Sequence, residues 1–158
     1  MINNKNLEAL IKENLALVKH RIKFACRRAE RKPTDVKLLL ATKTVGSTAI
    51  KLALENGGSL IGENKVMELI YKREDLRGLS IPIHFIGHLQ TSKIKDVTSR
   101  VNCIHSVDRL ELAQKLNSHL QYQGKSMEVL LQVNTSGEAS KFGVSPEKAL
   151  QLATLVSR

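Results

Sequence analysis

Lys43 is the residue with the most distinctive chemical potential in this sequence. It follows the apolar run Leu38–Ala41 and is flanked by Thr42 and Thr44. Such a run is typical of a strand buried on both faces, so Lys43 is predicted to lie where that strand opens into a loop. A lysine sheltered at that position would lose hydration, which favours the neutral amine and makes it a nucleophile toward a carbonyl group, with an imine as product. The alternative is a lysine that simply extends from the strand end into solvent.

Polar residues follow four further apolar segments in the same way. In parallel α/β architectures, ligands bind at the carboxyl ends of the strands, where loop side chains and backbone groups converge. Polar residues at such ends on packed strands are therefore typical of a binding site. The polar residues at these four strand ends lie within Gly62–Asn64, His84–Lys93, His105–Asp108 and Asn134–Gly143.

The elements that must position these residues alternate between strands and helices. Predicted strands span residues 36–42, 59–62, 83–86, 101–107 and 128–134, with a helix after each one, and Pro146 is predicted at the start of the last helix. A long first helix is predicted from apolar residues spaced three or four apart: Leu7, Ile11, Leu15, Val18, Ile22, Cys26 and Ala29. This alternation indicates an α/β fold with a parallel sheet. The pattern leaves two architectures open, a doubly wound sheet and part of a (β/α)8 barrel.

Several other kinds of site are not indicated. No glycine-rich phosphate loop and no Ser-His-Asp arrangement can be recognised. His84, His88 and His105 lie on different elements without a ligand pair at helical spacing, so structural or hydrogen-bonding roles are favoured over metal binding. Cys26 and Cys103 suit neither a disulfide framework nor a metal site, and are interpreted as reduced thiols of a cytoplasmic protein.

The net charge of +10 is concentrated in residues 1–45, which hold 11 Lys/Arg against 4 Asp/Glu. The densest stretch, residues 19–32, could attract a polyanion. It coincides with the predicted wet faces of the first helix, and no nucleic-acid-binding motif accompanies it. Nucleic-acid binding is therefore not favoured, and the sequence has no apolar run long enough for a membrane span.

Five blocks of the sequence resemble the pyridoxal phosphate homeostasis proteins, which are relatives of the alanine racemase N-terminal barrel. The blocks are LLLATKT, IGENKVMEL, IHFIGHLQTSK, IHSVDRLELAQKLN and VLLQVNTSGEASKFGV. The resemblance implies a (β/α)8 fold, pyridoxal 5′-phosphate (PLP) as cofactor, Lys43 as its Schiff-base partner and Asn64 as a residue lining the cofactor pocket. It also implies a carrier or buffer of the cofactor, of the fold-type III class, rather than a racemase.

The length of the chain differs from that of a complete barrel of this kind. A (β/α)8 chain needs about 200 residues or more, whereas five strands are predicted within these 158 residues. We therefore expect residues 1–158 to form a single partial barrel domain whose last three units are absent. The family's phosphate-gripping Gly-Met-Ser-x-Asp and Arg-Ile-Gly-Thr segments have no match in this sequence.

Three interpretations of this partial barrel remain open. The chain could be a fragment, half of a split barrel completed by another chain, or a self-completing oligomer. An alternative function is that of a relative without a competent cofactor site, acting as a protein-interaction module, because exposed strand edges invite pairing.

Overall fold

The computed structural model describes residues 4–157 and begins with a long helix, α1 (Asn4–Arg28). The predicted apolar stripe is confirmed in part: Leu15 and Cys26 are buried and Leu7, Ile11 and Ile22 are half-buried, whereas Val18 and Ala29 are exposed. The helix packs on α2 (Ser47–Glu55). Lys19 of α1 donates a hydrogen bond of 2.7 Å to the carbonyl of Gly57, just beyond the carboxyl end of α2. Lys19, one of the basic residues of α1, thus takes part in a hydrogen bond within the fold.

Five parallel strands form one sheet in the order β1-β2-β3-β4-β5. A doubly wound sheet needs a point at which the strand order reverses. The sequential order here has no such point among the described residues, so the architecture is of the barrel type rather than the doubly wound type. The strands are β1 (Leu40–Ala41), β2 (Ile61–Glu63), β3 (Ile83–Phe85), β4 (Cys103–Val107) and β5 (Glu128–Leu131).

Helices follow all five strands, as the sequence predicts. Pro146 occupies the first turn of the last helix, which suits its fixed backbone angle. The first strand is much shorter than the predicted span of residues 36–42, because its parallel pairing with β2 extends only over Leu40–Ala41. The remaining helices are α3 (Val66–Asp75), α4 (Ile94–Thr98), α5 (Leu110–Tyr122) and α6 (Pro146–Val156), with 3-10 turns at Pro33–Asp35 and Thr91–Lys93.

The apolar core lies between one face of the sheet and the helices. In β3, Ile83 and Phe85 are buried in this core, while His84 between them points to the opposite, inner face. The inner face is far less covered, since Leu130 of β5 is 51% exposed there and Ala41 of β1 is also exposed. No helix within residues 4–157 is long and apolar enough to cross a membrane.

Candidate functional site at the carboxyl ends of the strands

The loop after β1 carries Lys43 at the carboxyl edge of the sheet. The backbone N–H of Thr42 donates to the carbonyl of Gly62 over 2.9 Å, so pairing with β2 continues up to the residue before Lys43. Thr44 then adopts a left-handed conformation with φ of +61°. This conformation is unfavourable for a β-branched residue. The chain therefore turns sharply at Lys43, and contacts elsewhere must hold that turn.

Those contacts come from a buried polar network that the sequence analysis did not anticipate. Lys72 of α3 donates hydrogen bonds to the carbonyl of Thr42 at 2.6 Å and to Glu63 Oε1 at 2.8 Å. The Thr42 hydroxyl also donates to Glu63 Oε1. Glu68, one helical turn before Lys72, accepts from Lys72 at 3.0 Å and from the backbone N–H of Thr44 at 2.8 Å. Both neighbours of Lys43 are thus tied to β2 and α3.

Electrostatics in this network favour the ionised forms of Lys72 and Glu68. Burial opposes the charged form of Lys72, but hydrogen bonds to Glu63 and Glu68 outweigh that effect and raise the pKa of Lys72 above its ordinary value. The backbone N–H of Thr44, and then the side chain of Lys72, lower the pKa of Glu68. Glu63 has no exposed surface, so its pairing with Lys72 is what makes a carboxylate tolerable there.

The side chain of Lys43 itself is exposed, which corrects the expectation that it is sheltered from water. Lys43 lies in the turn after β1, at the edge of the sheet, and Ala41, two residues before it, is exposed as well. Its ammonium makes no hydrogen bond or ion pair within the part of the chain that the structure describes. The structure therefore holds the backbone around Lys43 in place but does not dehydrate its amine.

Asn64 lies at the carboxyl end of β2, beside the Lys43 loop. Ala41 pairs with Gly62, so Lys43 and Asn64 each follow that pair by two residues, just beyond the ends of neighbouring strands. Asn64 is half-buried, and its Oδ1 is inaccessible to solvent without a hydrogen-bond donor among the described residues. A Cβ at Gly87, after β3, would lie 2.0 Å from the Asn64 carbonyl oxygen, so only glycine permits this close approach. The two predicted site residues are thus brought to one place.

The loops after β3 and β4 form a second cluster at the same edge. His88 stacks on Phe142 with ring centroids 3.7 Å apart, and its Nδ1 lies 3.7 Å from Asp108 Oδ2. Arg109 pairs with Asp108 at 2.6 Å and donates to the Leu89 carbonyl at 3.0 Å. Phe142 belongs to the loop after β5, so three loops meet here.

The polar residues after β5 mostly satisfy one another. The side-chain amide of Asn134 donates to the carbonyls of Glu138 at 2.9 Å and Lys141 at 3.1 Å, while its oxygen accepts from the N–H of Gly137 at 3.1 Å. The sequence pattern placed this segment in the site. The Asn134 side chain instead hydrogen-bonds to backbone groups of its own loop.

The sequence reasoning missed Lys72 and the contribution of Glu63 and Glu68. A signal was present, because Glu68 precedes Lys72 by four residues and this spacing places both on one side of a helix. What the sequence could not show is that this side faces the end of β1.

Comparisons with known proteins agree with this architecture. Residues 14–158 match the sequence model of the family described as alanine racemase, N-terminal domain. The pyridoxal phosphate homeostasis protein of Aquifex aeolicus is 41% identical over 140 residues, which cover 89% of this chain and 61% of that protein. The curated relatives that rank beside it are covered to 61–65% of their length, so this chain spans less than two thirds of them.

Two solved structures show the same fold. The crystal structure of an unknown protein from Bifidobacterium adolescentis is 35% identical and superposes with a TM-score of 0.89, covering 99% of this chain and 67% of that one. PipY of Synechococcus elongatus, solved with PLP bound, is 29% identical with a TM-score of 0.73, covering 92% and 65% of the two chains. With its sequential parallel sheet and these relatives, the chain belongs to the alanine racemase N-terminal domain family, and its curated relatives there are pyridoxal phosphate homeostasis proteins.

Proposed function

We propose that this chain binds PLP at the carboxyl ends of β1 and β2, with Lys43 as the residue that forms a Schiff base with it. Its role would be intracellular cofactor homeostasis rather than a racemase reaction. The observation that carries the proposal is the anchored Lys43 loop: Lys72 and Glu68 fix the backbone on both sides of an exposed amine. Family membership and the PLP-bound relative support it.

The residues present fit the aldehyde end of the cofactor. PLP supplies an aldehyde with which a primary amine condenses, releasing one water molecule. The amine of Lys43 is accessible, and Asn64, at the end of the neighbouring strand, is half-buried with a side-chain oxygen that has no hydrogen-bond donor among the described residues. A phosphate needs backbone N–H groups or cations to replace its water, and the segments to which the resemblance assigns this task have no match in the sequence. We therefore expect reversible attachment dominated by the covalent bond.

A reduction experiment tests this assignment. PLP is added at a substoichiometric level, the imine absorption is recorded, and borohydride then fixes the label for peptide mapping. We expect the label mainly on the peptide that contains Lys43, and we expect Lys43→Ala to abolish it. Lys115→Ala, which removes an exposed lysine on α5, is the matched control and should leave the labelling unchanged. Label distributed over many lysines and insensitive to Lys43→Ala would contradict the proposal.

A second function is favoured by the uncovered inner face and by the two strand edges. Within residues 4–157, β1 and β5 each pair with one strand only, and Leu130 and Ala41 are exposed on the inner face. Free edges and an apolar face promote association with another chain. The chain would then act as an interaction module whose barrel is completed by a partner.

Sedimentation over a wide concentration range separates these two functions. Concentration-dependent association that Leu130→Lys weakens, together with no effect of PLP on the unfolding temperature, would favour the interaction module. A monomer whose unfolding temperature rises with PLP would favour cofactor binding.

We also infer a cytoplasmic location, since Cys26 and Cys103 are both free and buried.

A further inference from the structure

Three potential metal ligands lie together on the inner face of the sheet, on the neighbouring strands β3 and β4. His84 of β3 is paired in register with Cys103 of β4, and His105 lies two residues further along β4 on the same face. One ligand atom from each of the three side chains lies within 4.8 Å of the other two. In the sequence these residues are separated by 19 and 2 positions, so only the pairing of β3 with β4 assembles them.

We propose that His84, Cys103 and His105 form a binding site for a transition-metal ion of the Zn²⁺ class. Imidazole nitrogen and thiolate sulfur are the ligands that Zn²⁺ prefers, and three protein ligands with an open fourth position are typical of a reactive rather than a closed structural site. The inner face is accessible, since both histidines are half-buried rather than enclosed. Water can therefore take the fourth position.

To accept the ion, the three ligand atoms, which lie within 4.8 Å of one another, must move to tetrahedral distances. His84 Nδ1 and His105 Nε2 are 2.8 Å apart and share a hydrogen bond. With Zn–N bonds of about 2.0–2.1 Å and a Zn–S bond of about 2.3 Å, tetrahedral ligand atoms lie about 3.3–3.6 Å apart. The two hydrogen-bonded nitrogens must separate by about half an ångström. The nitrogen that donates this hydrogen bond must also lose its proton, which moves to the other nitrogen of that imidazole. The Cys103 thiol loses its proton, so binding should release about one proton per ion.

Two charged residues act on this cluster with opposite signs. Glu128 of β5 is paired in register with Cys103, and its negative charge acts on both Cys103 and His84. The ammonium of Lys37 acts on the same two side chains. A bound cation is attracted by the carboxylate of Glu128 and repelled by the ammonium of Lys37. We therefore expect Glu128→Gln to weaken metal binding and Lys37→Gln to strengthen it.

Metal titration of the full chain tests the site. Co²⁺ added to the metal-free protein should give the thiolate charge-transfer band and the intense visible bands of tetrahedral coordination, with release of about one proton, and Zn²⁺ should then displace it with no further proton release. Removing a residue that only hydrogen-bonds to a metal ligand costs about 10–100-fold in metal affinity. Removal of a ligand itself should cost more, so we expect at least about a 100-fold loss in Cys103→Ser and in His105→Gln. The matched control is Cys26→Ser, which removes the other buried thiol, on α1, and should leave the bands unchanged.

The result that would overturn the proposal is Co²⁺ or Zn²⁺ affinity that is no higher in the wild type than in Cys103→Ser. Cobalt bands that persist in His105→Gln would overturn it equally. Should Cys103→Ser fail to fold, as judged by thermal unfolding without metal, His105→Gln and the opposed effects of Glu128→Gln and Lys37→Gln decide the matter. Lys43→Ala is expected to bind the metal as the wild type does, so failure of this proposal is distinguishable from failure of the proposed cofactor site.

Discussion

Lys72→Met is the substitution that most directly tests how the Lys43 loop is held. Among the described residues, Lys72 is the only cation in contact with the fully buried carboxylate of Glu63. Lys72 is itself 8% exposed and also donates to the Thr42 carbonyl. Methionine matches the length of the lysine stem and adapts to irregular space. The substitution therefore removes the charge and the hydrogen bonds while keeping much of the packing.

The expected cost follows from leaving Glu63 buried and uncompensated. Removing one partner of a buried ion pair costs about 3–5 kcal/mol. Glu63→Gln should cost less, because Glu68 still lies 3.0 Å from Lys72 and compensates its charge. The double variant Glu63→Gln/Lys72→Met should recover part of the loss, because neither buried charge remains.

Urea denaturation measures these differences. With an m-value of about 2 kcal/mol/M, a loss of 3–5 kcal/mol lowers the midpoint by about 1.5–2.5 M. The matched control is Lys115→Met, which breaks an exposed pair with Glu111 on α5 at 2.7 Å. An exposed pair of this kind contributes little to stability because water and salt screen it, so its midpoint should hardly move. PLP labelling of Lys43 in the folded Lys72→Met protein should also become less selective, because the loop has lost an anchor.

A midpoint in Lys72→Met within the range of the Lys115→Met control would refute this reasoning. It would mean that Glu63 is hydrated or otherwise compensated in solution. A double variant less stable than Lys72→Met alone would refute the assignment of the cost to the unpaired carboxylate.

Two further substitutions test the surroundings of the site. The lowered pKa of Glu68 means that its contribution to stability is present above pH 4.5 and is lost as the pH falls through the lower pKa of the folded protein. The urea midpoints of wild type and Glu68→Gln should therefore converge below pH 4.5. A difference that stays constant with pH would contradict this. Gly87→Ala should cost about 1–3 kcal/mol by thermal or urea unfolding, because its Cβ would collide with the Asn64 backbone. Gly46→Ala, where a Cβ would meet nothing within 4 Å, is the control and should cost under about 1 kcal/mol; equal costs would argue against the close approach.

The fold was predictable from the sequence in kind and in order, because hydrophobic periodicity is a local property of the chain. The spacing of apolar residues indicated the long first helix, the five strands and the helix that begins at Pro146, and the structure confirms each of them. Strand lengths were less predictable, as β1 shows. Its extent depends on hydrogen bonds to β2, which an apolar run in the sequence does not reveal.

The polar strand ends were also apparent in the sequence, but their roles were not. The pattern placed Lys43 and Asn64 at the sheet edge, and β1 and β2 are neighbours in the sheet, so both residues follow the ends of adjacent strands. It could not show that Lys43 is exposed, because exposure depends on which elements cover the inner face. Nor could it show that Asn134 mainly organises its own loop.

The sequence by itself thus determined the α/β class, the order of the elements and the family resemblance, all of which rest on short stretches of residues. Only the tertiary structure decided that Lys72 and Glu68 anchor the Lys43 loop and that His84, Cys103 and His105 share one patch. Contacts of this kind join residues from different elements. They are fixed by the parallel register of the sheet and by the packing of α3 against it, and neither leaves a periodic signal in the chain.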